Sequence, residues 1–186
     1  MVSFKNDYSE GVHPKILEKL IENNLEQSDG YGEDRFTLKA ISLIKKHLYN
    51  ENVDIHFISG GTLTNLIAIS SFLKPHQAVI SPKTGHIYVH ETGAIESTGH
   101  KVIPVDCPNG KINIEQIETQ QKEHHFEHMV KPGLVYISQP TELGTIYSKD
   151  ELNIIYSYCK SNNLLLYIDG ARLASAITSK NSTITL

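Results

Sequence analysis

Three short segments of this chain set polar or titratable side chains directly behind apolar runs. In FISGGTLTNL, Gly60, Gly61 and Thr62 follow IHFIS and precede a helical pattern. Glycines let the backbone approach a ligand closely, and the free N–H groups of a helix start, with the Thr62 hydroxyl, suit a phosphate. An ordinary strand-to-helix turn with Thr62 as N-cap uses the same residues. The spacing is neither that of a Walker A loop nor G-x-G-x-x-G. In IDGAR, an apolar run ends at Asp169, with Gly170 and Arg172 behind it. A carboxylate there can hold a cationic ring nitrogen, and a guanidinium can grip a carboxylate through two hydrogen bonds. A plain Asp–Arg ion pair or a capping aspartate is the alternative. In TGHIYVHETGA, His86, His90 and Glu91 follow the run QAVIS. A histidine so placed can act as a base or stack on a flat ring, or can be purely structural.

Such side chains need a scaffold that brings the ends of apolar runs together. PKILEKLIENNL, opened by Pro14, puts Ile16, Leu17, Leu20, Ile21 and Leu25 on one helical stripe, and FTLKAISLIKKHL is apolar at Leu38, Ile41, Leu43, Ile44 and Leu48. SDGYGEDR is a glycine-rich turn between them. Strand and helix patterns then alternate: VDIHFIS a strand, LTNLIAISSFL a helix, QAVIS a strand, HIYVHETGAIEST a helix, HKVIPV a strand, NIEQIETQQKEHHF a polar helix, GLVYIS a strand, SKDELNIIYSYCKSN a helix and NLLLYID a strand. This alternation predicts an α/β fold, a three-layer α/β/α domain with a mostly parallel sheet. The strand runs are continuously apolar, which predicts a sheet covered on both faces. Ligands bind such sheets at the carboxyl ends of the strands, where all three segments fall.

Bulk properties narrow the function classes. The 186 residues suit a single domain over 1–186 with a sizeable core, and 39% apolar with 20% charged residues is an ordinary globular balance. A net charge of −4 offers no electrostatic case for nucleic acid or an anionic membrane. Two cysteines, Cys107 and Cys159, cannot build a disulfide framework and suit a reducing compartment. No run reaches the roughly 18 apolar residues of a membrane span, and the N-terminus has no apolar signal core. The expectation is a cytoplasmic protein without a membrane or nucleic-acid partner.

Taken together, a phosphate loop, a stacking histidine and an acid at the end of a later strand are the sequential parts of a pyridoxal phosphate site. The chain resembles the threonine aldolase and β-eliminating lyase group of fold-type I pyridoxal phosphate enzymes. The likeness runs nearly end to end, through YSEGVHP, GYGEDRFTLKAI, SGGTLTN, GHIYVHETGA and IDGARLASA. It implies pyridoxal 5′-phosphate as cofactor and an amino acid as substrate, with Cα–Cβ cleavage of a β-hydroxy amino acid to glycine and an aldehyde. By the same resemblance Gly61 and Thr62 match the phosphate-binding pair. His86 matches the histidine that stacks on the pyridine ring and takes the substrate hydroxyl proton. Asp169 matches the acid on the ring nitrogen, Arg172 the arginine that holds the substrate carboxylate or the cofactor, and Ser9 a serine near the substrate carboxylate. Glu10, Gly11 and Thr64 depart from the family pattern and bear on the substrate more than on the cofactor.

The resemblance also implies a lysine that carries the cofactor, roughly thirty residues beyond the acid. Lys180 is the only lysine after Asp169, and it reads as a solvated surface residue. The expectation is therefore the N-terminal part of such an enzyme, short of that lysine and of the small C-terminal domain, and inactive alone. The family association implies a homodimer or homotetramer with the active site completed across the interface. Two other classes remain open: a non-catalytic assembly domain that keeps the fold, and another fold-type I activity such as decarboxylation or transamination. HHFEH, His124 to His128, matches the inverted zinc-protease pattern H-x-x-E-H, but it sits in a very polar stretch and reads as a solvated helix end.

Overall fold

The computed structural model describes residues 3–186 and resolves into two compact units, one ending at Ile55 and the other beginning at His56. In the first unit, helix α1 (Pro14–Glu22) starts with its proline at the position where the missing N–H costs nothing, and the His13 ring accepts from the Lys15 N–H. Helix α2 (Arg35–Leu48) is capped by Asp34, whose carboxylate accepts from the Phe36 and Thr37 N–H groups. That carboxyl lies below its ordinary range, with the Thr37 hydroxyl and N–H as the main cause. The turn before it passes through left-handed Tyr31 and Gly32, and Arg35 pairs with Glu26. Leu25 lies beyond the end of α1, so the expected stripe is shorter than its sequence pattern. Its members Ile16, Leu17, Leu20 and Ile21 are each at least half exposed.

The second unit carries the sheet. Strands β1 (Gln77–Pro82), β2 (Val102–Val105), β3 (Lys131–Ser138) and β4 (Leu165–Asp169) run parallel in the order β2-β1-β3-β4. Helices α3 (Gly61–Phe72), α4 (His86–Val89), α5 (Ile114–Glu123), α6 (Lys149–Ser161) and α7 (Leu173–Ile177) alternate with them, so the three-layer α/β/α expectation holds. The alternation of side chains along each strand feeds two cores. Ile80, Val135 and Ile137 meet Ile117 of α5 and Ile155 of α6 on one face. Val79, Leu134 and Tyr136 meet Ile69 of α3, Ile87 of α4 and Ile95 on the other. Capping boxes at Asn113–Gln116 and Ser148–Glu151 start α5 and α6, and the Lys111 ammonium closes on Glu151 at 2.8 Å.

Three expectations need correction. Val53–Ser59 is not a strand: a strand exists only through ladder bonds to a neighbour, and this segment makes none with the four strands. HIYVHETGAIEST is not one helix, because Thr92 and Gly93 take left-handed backbone angles and leave α4 and a separate 3₁₀ turn, Glu96–Thr98. The sheet is not covered throughout. β1 and β3 are buried, but β4 is an edge strand, and its Leu165 and Ile168 stay more than 40% exposed.

Candidate functional site

The order β2-β1-β3-β4 makes β1 and β3 neighbours whose onward connections leave in opposite directions, the switch point at which α/β sheets bind ligands. The carboxyl ends of β1, β3 and β4 supply the site. Ser138 of β3 pairs in register with Asp169 of β4.

β1 leads into a tight turn that presents His86. Gly85 is buried there, with its N–H on the Pro82 carbonyl at 2.8 Å. The His86 side chain is 45% exposed, so a ligand can reach it, while the Glu91 side chain behind it is fully buried. His86 Nδ1 lies 2.8 Å from Glu91 Oε1. Asn65 Nδ2 donates to that same Oε1 at 2.7 Å and to Asp169 Oδ2 at 3.2 Å. Tyr136 OH donates to Asp169 Oδ2 at 2.7 Å, and Ser138 Oγ lies 3.3 Å from the Tyr136 oxygen. Ser138 Oγ also donates to Glu142 Oε1 at 2.6 Å, and Glu142 Oε1 accepts from the His86 backbone N–H at 2.9 Å. Two chains of hydrogen bonds thus leave His86: one runs from its ring through Glu91 and Asn65 to Asp169 and Tyr136, the other from its backbone N–H through Glu142 to Ser138.

Burial shapes the chemistry of these groups. The Tyr136 hydroxyl is pushed far above its ordinary range, first by burial and then by the Asp169 charge, so it remains a donor at any working pH. Tyr167, stacked on Tyr136 with centroids 5.8 Å apart, is pushed up to about 12 by burial and by Asp169 and Glu91. It donates to Asn65 Oδ1 at 2.7 Å. Asp169 Oδ1 accepts from the Ala171 N–H at 3.1 Å. Glu91 Oε2 is buried without a hydrogen-bond partner.

The structure therefore joins His86 and Asp169 through two intervening side chains. Gly61 and Thr62 lie on the first turn of α3, one turn before Asn65, and both are exposed. The N-cap is Gly60, not Thr62, and no side chain caps this helix start. The conformational demand also falls on Gly60, at φ +94°, whereas a Cβ on Gly61 would meet nothing within 4 Å. Arg172 is exposed on the turn that opens α7, three residues past Asp169. Ser9 lies in the N-terminal unit, where its hydroxyl donates to Asn6 Oδ1 at 2.5 Å. Lys180 is exposed after α7, as expected. The HHFEH segment begins at the C-cap of α5, so its residues do not share a helix, and no group of three metal-ligating side chains forms among the described residues.

Sequence reasoning missed Asn65, Tyr136, Tyr167, Ser138 and Glu142, and named Glu91 without a role. Ser138 and Glu142 were within reach: Ser138 ends an apolar run and Glu142 follows it, as His86 follows QAVIS. Asn65 and the tyrosines carry no such positional signal.

The chain as a whole resembles known proteins. A family model described as beta-eliminating lyase matches residues 7–185. A low specificity L-threonine aldolase of a Pseudomonas strain is 32% identical over 175 residues, covering 93% of this chain and 50% of that protein. The corresponding enzyme of Saccharomyces cerevisiae is 27% identical and is covered over 46% of its length. A solved structure of Leishmania major threonine aldolase superposes with a TM-score of 0.95 at 53% identity, over 97% of this chain and 53% of that one. The chain spans about half the length of the curated relatives it matches.

Proposed function

This chain belongs to the beta-eliminating lyase family, and on that premise we propose that it holds pyridoxal 5′-phosphate at the carboxyl ends of β1, β3 and β4. The activity it serves is threonine-aldolase-type cleavage of a β-hydroxy amino acid to glycine and an aldehyde, by analogy with the relatives it resembles. The observation that carries this reading is the placement of His86 and Asp169, distant in sequence, on one chain of hydrogen bonds at the strand ends.

The residues fit the cofactor. An uncapped helix start beside two glycines offers backbone N–H groups to a phosphate. Asp169, fixed by Tyr136 and Asn65, offers a carboxylate to a protonated ring nitrogen, which an opposite charge stabilises. When bound, pyridoxal phosphate supplies the sink for the electrons released as Cα–Cβ breaks. Of this chain's own groups, Gly61 and Thr62 would hold the phosphate and His86 would lie against the ring. The His86 imidazole takes the β-hydroxyl proton, while Arg172 orients the substrate carboxylate. Lys180, exposed, has no part in this scheme.

A spectroscopic titration with pyridoxal phosphate tests the reading. The chain binds, Asp169→Ala weakens binding about tenfold or more through loss of a charge-assisted hydrogen bond, and Lys180→Ala leaves it unchanged. Absence of binding, or binding indifferent to Asp169→Ala, rejects it.

We further propose that the chain associates with copies of itself as a dimer or tetramer, supported by the apolar, exposed side chains of α1. A cytoplasmic setting fits the two buried free thiols. No helix among the described residues is long and apolar enough to cross a membrane.

A further inference from the structure

We propose that Glu91 and Asn65 are positioning residues that fix His86 as the Nδ1–H tautomer, with Nε2 left as a proton acceptor, and tie it to the carboxylate of Asp169. The inference deepens the reading of this site and rests on it only for the use made of Nε2.

The assignment follows from donors and acceptors taken in turn. Asn65 faces three partners. Tyr167 OH lies 2.7 Å from its Oδ1, and Glu91 Oε1 and Asp169 Oδ2 lie 2.7 and 3.2 Å from its Nδ2. The reversed amide would turn its oxygen onto two carboxylate oxygens, so the NH₂ must face them, one hydrogen to each. Glu91 Oε1 is then an acceptor toward Asn65. The same oxygen stands 2.8 Å from His86 Nδ1, which must therefore carry the proton. In the neutral ring Nε2 then holds the lone pair, the form a general base requires.

Burial makes the arrangement specific. Glu91 is a fully buried carboxyl side chain behind a half-exposed imidazole, and its Oε2 has no partner. A buried carboxyl group is costly unless its contacts serve something. Its contacts here are the histidine ring and an amide that also holds Asp169. Asn65 sits one helical turn after Gly61 on α3, so one short helix segment carries both the phosphate-side glycines and the amide between the two acids.

The test is imidazole ¹⁵N NMR on the full chain, with the His86 signals assigned by their loss in His86→Gln, recorded at alkaline pH. The parent shows a protonated Nδ1 and a bare Nε2. Glu91→Leu moves the ring toward the Nε2–H form that a free histidine side chain prefers, and Asn65→Leu weakens pyridoxal phosphate binding about tenfold by freeing Asp169. An Nε2–H ring in the parent overturns the assignment. So does an unchanged tautomer in folded Glu91→Leu, or unchanged cofactor affinity in folded Asn65→Leu. A parent that shows Nδ1–H but binds no pyridoxal phosphate upholds the tautomer and rejects the cofactor reading instead.

Discussion

Adding one methyl group at Gly85 isolates the turn that presents His86. Gly85 has ordinary angles, φ −59° and ψ 137°, so alanine meets no backbone penalty there. The cost is steric. A Cβ would stand 2.3 Å from Ser81 Oγ, 2.9 Å from the Pro82 carbonyl oxygen and 3.3 Å from Tyr136 Cε1. The serine hydroxyl is the most easily moved of these. It is fully buried and donates to the Pro82 oxygen at 3.0 Å, so rotating it away strands a buried donor at about 1–3 kcal/mol. The Pro82 carbonyl belongs to the last residue of β1, held in register opposite Val105, and overpacking such a site costs about 1–3 kcal/mol.

We expect Gly85→Ala to destabilise the chain by about 3 kcal/mol in total, allowing some relaxation between the two effects. With a urea slope of about 2 kcal/mol/M, the unfolding midpoint falls by about 1.5 M. Because Tyr136 is one of the displaced neighbours and also holds Asp169, the variant weakens pyridoxal phosphate binding as well. Gly61→Ala is the control: its Cβ meets nothing, and replacing a helical glycine with alanine is neutral or stabilising by up to about 1 kcal/mol. A Gly85→Ala chain within about 0.5 kcal/mol of the parent would refute the idea that close packing at this turn sets the position of His86.

Two further outcomes are expected. Burial pushes the thiols of Cys107 and Cys159 each up to about 11, whereas an unfolded cysteine titrates near about 8.5. Between those values the unfolded chain releases thiol protons that the folded chain retains, so stability falls as pH rises from about 8.5 towards about 11; native thiols that titrate like free cysteine in ultraviolet absorbance would contradict this. Sedimentation at micromolar concentration should show a dimer or tetramer, and a clean monomer would count against association through exposed apolar surface such as that of α1.

How far the sequence exposes the fold depends on where each element gets its energy. β1 and β3 were legible because burial on both faces demands an uninterrupted apolar run, and QAVIS and GLVYIS supply one. The capping boxes of α5 and α6 are local, and they fixed those helix starts. VDIHFIS has the same apolar character but no ladder partner among the four strands, and composition cannot report a missing partner. HIYVHETGAIEST failed for the opposite reason. Its helical periodicity is real, but left-handed Thr92 and Gly93 break it so that Glu91 can turn back beneath His86.

The site divides along the same line. His86 and Asp169 were found because each follows a strand, and strand ends are where an α/β sheet meets its ligand. Applied without exception, that rule would also have named Ser138, which ends GLVYIS, and Glu142 behind it; they link β3 to the His86 backbone N–H. Asn65 obeys no such rule. It stands inside a helix, 104 positions from Asp169, and a lone asparagine there suggests nothing. Its importance arises only when the sheet order brings α3, the β1 turn and β4 to one place. Two acids and a tyrosine hydroxyl then share a single amide, whose two hydrogens and one oxygen leave one way to orient it. Residues that bear chemistry can thus be read from type and position along the chain, whereas residues that orient them become legible only once distant segments have met.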